Sequence, residues 1–193
     1  MIIDISQEVR SCKVWPGDPA PKAERLCDMA QGDLYNLHAF SMCAHNGTHV
    51  DAPLHFIRDG KSIDQLELEA MVGDCYVARH EGDVTAEDAQ QILFEARKAG
   101  AAERILIGGK ATVTAEAAQV FAQAEVRLLG NESQTVSPEN APMQVHLILL
   151  GAGVVLLEGA VLANVESGKY FLSAAPLNWA GFEGAPCRAL LIR

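Results

Sequence analysis

The chain has 193 residues, a formal net charge of −10, 49% hydrophobic residues and 21% charged ones. That length suits one domain over residues 1–193, large enough to bury a core. The acidic balance excludes a nucleic-acid face and an anionic-membrane partner, which both demand clustered basic residues. No apolar run reaches the roughly 18 residues of a transmembrane helix.

In chain order, "MIIDIS" alternates as a strand does. It lacks a basic region followed by an apolar stretch, so no signal peptide is expected and the expected location is cytoplasmic. "KVWPGDPAPK" reads as a loop, with three prolines and a glycine, and "YNLHAFSMCAH" as a strand running into the segment after it. "IDQLELEAM" is long enough only for a helical turn, and "GDCYVARHEG" is a strand between glycine turns. "VTAEDAQQILFEARKAG" is the clearest helix, with Thr85 as N-cap, Asp88 at the capping-box position and Gly100 as stop. A strand "RILIGG", a second helix begun by Thr114, a strand "VRLLGN", a third helix "NAPMQVHLILLGAG" and a strand "VVLLEGA" follow. "GKYFLSAAPLNWAG" and "PCRALLIR" are read as two more strands. Strands alternate with helices in the middle and crowd both ends, so the expected class is α/β, with one mixed sheet or two and helices packed on them. No phosphate-binding GxGxxG or GxxxxGK[ST] occurs. Cys12, Cys27, Cys43, Cys75 and Cys187 contain no CxxC pair and are odd in number, so free buried thiols are expected.

The segment "HNGTHVDAPLHF" holds His45, His49 and His55, half of the six histidines, together with Asp51. Imidazole nitrogen and carboxylate oxygen are zinc-type ligands and also suit manganese. The His45–His49 spacing could be helical, but Gly47, Thr48, Val50 and Pro53 oppose a helix. On an extended chain His49 and Asp51 share a face, and Gly47 lets the backbone bend so that His45 turns back to the same point. Three protein ligands leave a position open for water, the mark of a catalytic site. His55 is then a fourth ligand or a free imidazole able to carry protons.

These residues resemble the HxGTHxDxPxHF motif of the cyclase-like metal-dependent hydrolases, a family that includes bacterial kynurenine formamidase and isatin hydrolase, and all eight defined positions are present. "VWPGDPAP", "DGKSIDQLELEAMVGDCYV" and "HLILLGAGVVLLEGAVLANVESGKYFLSAAPL" also resemble the family. The resemblance implies the family's swivelling β/β/α fold. It implies two zinc ions, one held by His45 and His49, with Asp51 bridging and His146 and Glu158 holding the second. It further implies His55 as the catalytic acid/base, Trp15 in the substrate pocket and a homodimer or larger assembly. Taken singly, His146 reads as a helix-face histidine, Glu158 as a solvent-facing strand end, and Trp15 equally as core or pocket wall. The sequence departs from the family in a shortened loop at Gly109–Lys110 and an altered segment at Gly130–Pro138. Both leave the ligands intact and bear on the small-molecule substrate.

The expected reaction is therefore hydrolysis of a small amide by metal-activated water, with an N-formylkynurenine-like aryl formamide the foremost substrate. An isatin-like cyclic amide or a lactone, a non-catalytic metal or ligand binder, and a metal-free scaffold are the competing readings.

Overall fold

A computed structural model describes residues 1–193. The first part of the chain forms strands β1 (Ile2–Asp4), β2 (Lys22–Cys27), β3 (Leu37–Ser41) and β4 (His49–Asp51). A short helix α1 (Leu68–Met71) leads into β5 (Val72–Arg79) and β6 (Gly82–Val84). Helix α2 (Ala86–Lys98), β7 (Arg104–Gly108), β8 (Ala111–Val113), α3 (Ala115–Gln123), β9 (Leu128–Asn131), α4 (Met143–Gly151) and β10 (Val155–Glu158) follow. Strands β11 (Gly168–Ser173), β12 (Gly184–Pro186) and β13 (Leu190–Ile192) complete the order.

One nine-stranded mixed sheet runs β1-β13-β11-β5-β7-β9-β10-β4-β12. Its centre, β5-β7-β9-β10, is parallel, and α2, α3 and α4 are the crossovers that parallel pairing requires. Covered on both faces, these strands need continuous apolar sequence, and all five residues of β7 are buried. Alternation along the strands divides the core between the two faces. Ile105, Ile107, Leu129 and Leu156 pack under Leu93 of α2, Phe121 of α3 and Leu149 of α4. Leu106, Leu128, Val155 and Leu157 face the other way, toward Ile5, Val50, Leu172 and Leu191.

The helix starts follow the sequence signals. The Thr85 hydroxyl accepts from the Asp88 N–H at 3.2 Å, and Asp88 accepts from the Thr85 N–H at 2.9 Å, which closes the capping box. Thr114 accepts from the Ala117 N–H in the same way.

Three expectations need correction, and one strand pairing was not anticipated. Residues 37–41 do form a strand, but it pairs back on β2 as an exposed two-stranded ribbon and does not run on into residue 45. The strand expected over 168–181 ends at Ser173, because Pro176 and Gly181, the latter at φ +78°, turn the chain. The short strands β6 and β8 pair as a small parallel ribbon that three-residue segments cannot announce by alternation. All five cysteines are free, but only Cys75 is fully buried and the other four are partly exposed.

Candidate metal centre

The register of β4 creates the site. Val50 points into the core, so His49 and Asp51 emerge on the opposite, helix-bearing face. Antiparallel pairing sets Glu158 of β10 opposite His49, two residues beyond the helix-facing Leu156. Helix α4 lies on this side of the sheet, and its His146 reaches the same point from above. Gly47, at φ +70°, reverses the chain so that His45 folds back over β4. Pro53 does not merely stop the strand: it opens a single 3₁₀ turn, Pro53–His55, that returns His55 toward Asp51.

His49, Asp51, His146 and Glu158 are at most 3% exposed, so their charges must be compensated inside the protein. His45 Nδ1 lies 2.9 Å and His49 Nε2 3.3 Å from Asp51 Oδ1. His146 Nε2 lies 3.3 Å from Glu158 Oε1 and 3.7 Å from Asp51 Oδ2, and His49 Nε2 lies 3.6 Å from Glu158 Oε2. Two clusters result, His45–His49–Asp51 and Asp51–His146–Glu158, each with its ligand atoms within 4.8 Å of one another and Asp51 common to both.

These residues fit divalent ions. Ligands at ~2.0–2.1 Å from a tetrahedral ion stand roughly 3.3–3.4 Å apart, and the separations here run from 2.9 to 3.7 Å around that value. His49 Nε2 and Asp51 Oδ2 are buried with no hydrogen-bond partner. A cation satisfies both atoms, which otherwise remain orphaned at a cost of about 1–3 kcal/mol each. The remaining ring nitrogens are already committed, His49 Nδ1 to the Gly47 carbonyl at 3.0 Å and His146 Nδ1 to the Pro142 carbonyl at 2.9 Å. Both Nδ1–H groups therefore donate to backbone oxygen and leave Nε2 to face the carboxylates, the arrangement that orients metal-binding imidazoles.

Without metal, protons take the cation's place. Burial lowers the pKa of His146, but contact with Asp51 and Glu158 outweighs it and pushes the group up to about 10. His45 and His49 are raised in the same sense against burial. Burial raises Asp51, but its three histidine neighbours hold it well below the usual carboxylate range. His55 goes the other way. Burial lowers it, and the positive His45 and His146 add to that against the pull of Asp51. His55 is 29% exposed, lies 3.9 Å from Asp51 Oδ2 and stacks on His45 at 4.2 Å.

A cavity of about 390 Å³ opens over both clusters. Trp15 lines it from the N-terminal loop, where Pro16 and Gly17 make a tight turn closed by the Asp18 N–H donating to the Trp15 carbonyl at 3.0 Å. The centre thus brings together His45, His49, Asp51, His55, His146 and Glu158, with Trp15 on the wall. Sequence reading missed Asp18, Cys43, Phe56, Gln134, Thr135, Pro142 and Glu183, which also line the cavity. Phe56 stood inside the motif and could have been inferred; Glu183 becomes visible only through the pairing of β12 with β4. The shortened loop at Gly109–Lys110 lies off the cavity, whereas the altered 130–138 segment contributes Gln134 and Thr135 to it.

Comparison with known proteins gives concordant matches. The Cyclase family matches residues 3–138. A kynurenine formamidase of Salinibacter ruber is 33% identical over 207 aligned residues, covering 98% of this chain and 96% of its own. A solved structure described as a potential metal-dependent hydrolase with cyclase activity is 26% identical, with a TM-score of 0.82 over 99% of this chain and 96% of that one. Isatin hydrolase A from Labrenzia aggregata shares the fold, at 22% identity and a TM-score of 0.83 over 99% of this chain and 93% of its own.

Proposed function

Because the chain belongs to the cyclase-like family of metal-dependent hydrolases, we propose that it hydrolyses the non-peptide C–N bond of a small aryl amide, foremost an aryl formamide of the N-formylkynurenine type. The observation that carries this reading is the juxtaposition of two ligand clusters sharing Asp51 with His55, which belongs to neither cluster and lines the same cavity. His45, His49 and Asp51 would hold one divalent ion, and Asp51, His146 and Glu158 would hold a second. When bound, such ions supply Lewis-acid polarisation and lower the pKa of bound water. Ligation by imidazole and carboxylate suits zinc or manganese.

The chain's own residues do the remainder. His55, whose pKa burial holds below the usual imidazole value, takes the proton from the attacking water and returns it to the leaving nitrogen. The stack of His55 on His45 and its edge contact with Phe56, at 4.5 Å, fix the plane of the ring for that transfer. Trp15, Phe56 and Pro142 present apolar walls on which an aromatic ring can lie. Stacking of that kind adds ~0.5–1.5 kcal/mol beyond area burial. Residues 1–193 act as one domain in this reading. Free cysteines throughout support a reducing, cytoplasmic location. The β2–β3 ribbon exposes Leu26, Tyr35, Leu37 and Phe40, which supports burial against a second copy in a homodimer.

Elemental analysis together with a hydrolysis panel of aryl formamides, isatin, lactams and lactones tests the proposal. His55→Ala is expected to retain metal and lose ~10²–10⁴-fold in turnover. Unchanged hydrolysis in that variant overturns the acid/base role, and turnover of no amide overturns the reaction.

A further inference from the structure

His45 differs from the other two histidines in how its ring is held. His49 and His146 each donate one ring N–H to a backbone carbonyl, a partner that no side-chain substitution removes. His45 turns Nδ1 toward Asp51 at 2.9 Å, and its Nε2 faces a side chain, Glu183 Oε1, at 3.3 Å. No other group in the protein hydrogen-bonds that nitrogen.

The segment carrying Glu183 is pinned on both sides. Asp64 accepts from the Gly181 N–H at 2.9 Å, the Phe182 carbonyl accepts from the Ile63 N–H at 2.8 Å, and the Glu183 carbonyl accepts from the Ala52 N–H at 2.8 Å. The next residue, Gly184, pairs with Asp51 across the sheet and leaves room for the His45 ring, since a Cβ there would come within 2.7 Å of His45 Cε1. The Glu183 backbone is therefore fixed under His45, while its side chain, 41% exposed, stays at the cavity edge.

We propose that Glu183 is a positioning residue for the metal centre: its carboxylate accepts the His45 Nε2–H and so commits Nδ1 of that ring to the cluster with His49 and Asp51. An imidazole that ligates through one nitrogen carries its proton on the other, and a carboxylate on that proton fixes the tautomer, orients the ring and makes it a stronger donor. Glu183 acts on one ligand of one cluster. The Glu183 carboxylate makes no hydrogen bond or ion pair with Asp51, His146 or Glu158.

The inference rests on the dinuclear reading above, and a chelator-competition titration separates the two. Zn²⁺ and Co²⁺ are titrated into the metal-free wild type, Glu183→Ala and Glu183→Gln. Glu183→Ala is expected to weaken one of the two metal equivalents by ~10–100-fold, the usual effect of losing such a partner, and to leave the other within a few-fold. The cobalt absorption spectrum of the weakened equivalent shifts, because its ligand field changes. Glu183→Gln keeps an acceptor oxygen and recovers most of the affinity. The thermal midpoint of the metal-free Glu183→Ala protein stays at the wild-type value. Equal affinity of Glu183→Ala and wild type at both equivalents overturns the proposal. So does parallel weakening of both equivalents with a lowered metal-free midpoint, which marks a merely structural role. Wild type that takes up no metal overturns the dinuclear reading itself.

Discussion

Thr48 lies between two metal-cluster histidines and ligates nothing, yet it ties together three segments that build the site. Its hydroxyl accepts from the Gln7 N–H at 2.8 Å and donates to the Gly159 carbonyl at 2.7 Å, and its own carbonyl accepts from the Cys187 N–H at 3.0 Å. The side chain is 2% exposed. Thr48→Val keeps the shape and removes the hydroxyl. Gly159 O retains a second donor, Gln7 Nε2 at 2.9 Å, so that side loses one net hydrogen bond, about 1 kcal/mol. The Gln7 N–H loses its only acceptor, and leaving a partly buried donor unpaired costs about 1–2 kcal/mol more. The expected loss is therefore about 2–3 kcal/mol, or a fall in thermal midpoint of roughly 4–12 °C for a chain of this size. Thr48→Ser keeps both bonds and removes one buried methyl group, about 0.8 kcal/mol. Urea unfolding of the metal-free proteins measures both, since bound metal would stabilise the native state and mask the difference. The reasoning is refuted if valine costs no more than serine.

Three further outcomes are expected. In the metal-free protein His146 has its pKa raised from 6.5 to about 10 by Asp51 and Glu158, so its protonated form stabilises the fold fully below the unfolded value and that stability is lost as pH rises through about 10. Metal-free protein should therefore lose stability from pH 7 to 10, while metal-loaded protein, whose ring nitrogen is occupied, shows no such slope in calorimetry; a flat metal-free profile contradicts the assigned environment. Gly184→Ala places a Cβ 3.0 Å from the Val50 carbonyl as well as against the His45 ring, and should cost about 1–3 kcal/mol by overpacking and weaken metal binding in a chelator titration. Phe121→Ala empties the space between α3 and the sheet, where the ring is fully buried, and should cost about 3–5 kcal/mol in urea unfolding with the metal stoichiometry of the refolded protein unchanged.

What the sequence determined by itself is local chemistry. The spacing of His45, His49, Asp51 and His55 around Gly47 and Pro53 is short-range information: period two puts His49 and Asp51 on one face, and Gly47 adopts its positive φ. The same holds for the threonine-capped helices and the apolar central strands, which the structure places where the patterns put them. His146 and Glu158 lie about 100 residues away and carry no local signal; a resemblance pointed to them, and the structure brings them to Asp51. Only the tertiary structure decided what pairs with what. The β2–β3 ribbon pairs only with itself, as a two-stranded sheet separate from the one that carries the site. Glu183 reached His45 because β12 adds to the edge of β4, a pairing of strands about 130 residues apart in sequence. A three-residue strand has too few side chains to announce its partner, so its register is set by the backbone ladder and the core face it must bury, and those exist only once the sheet has formed.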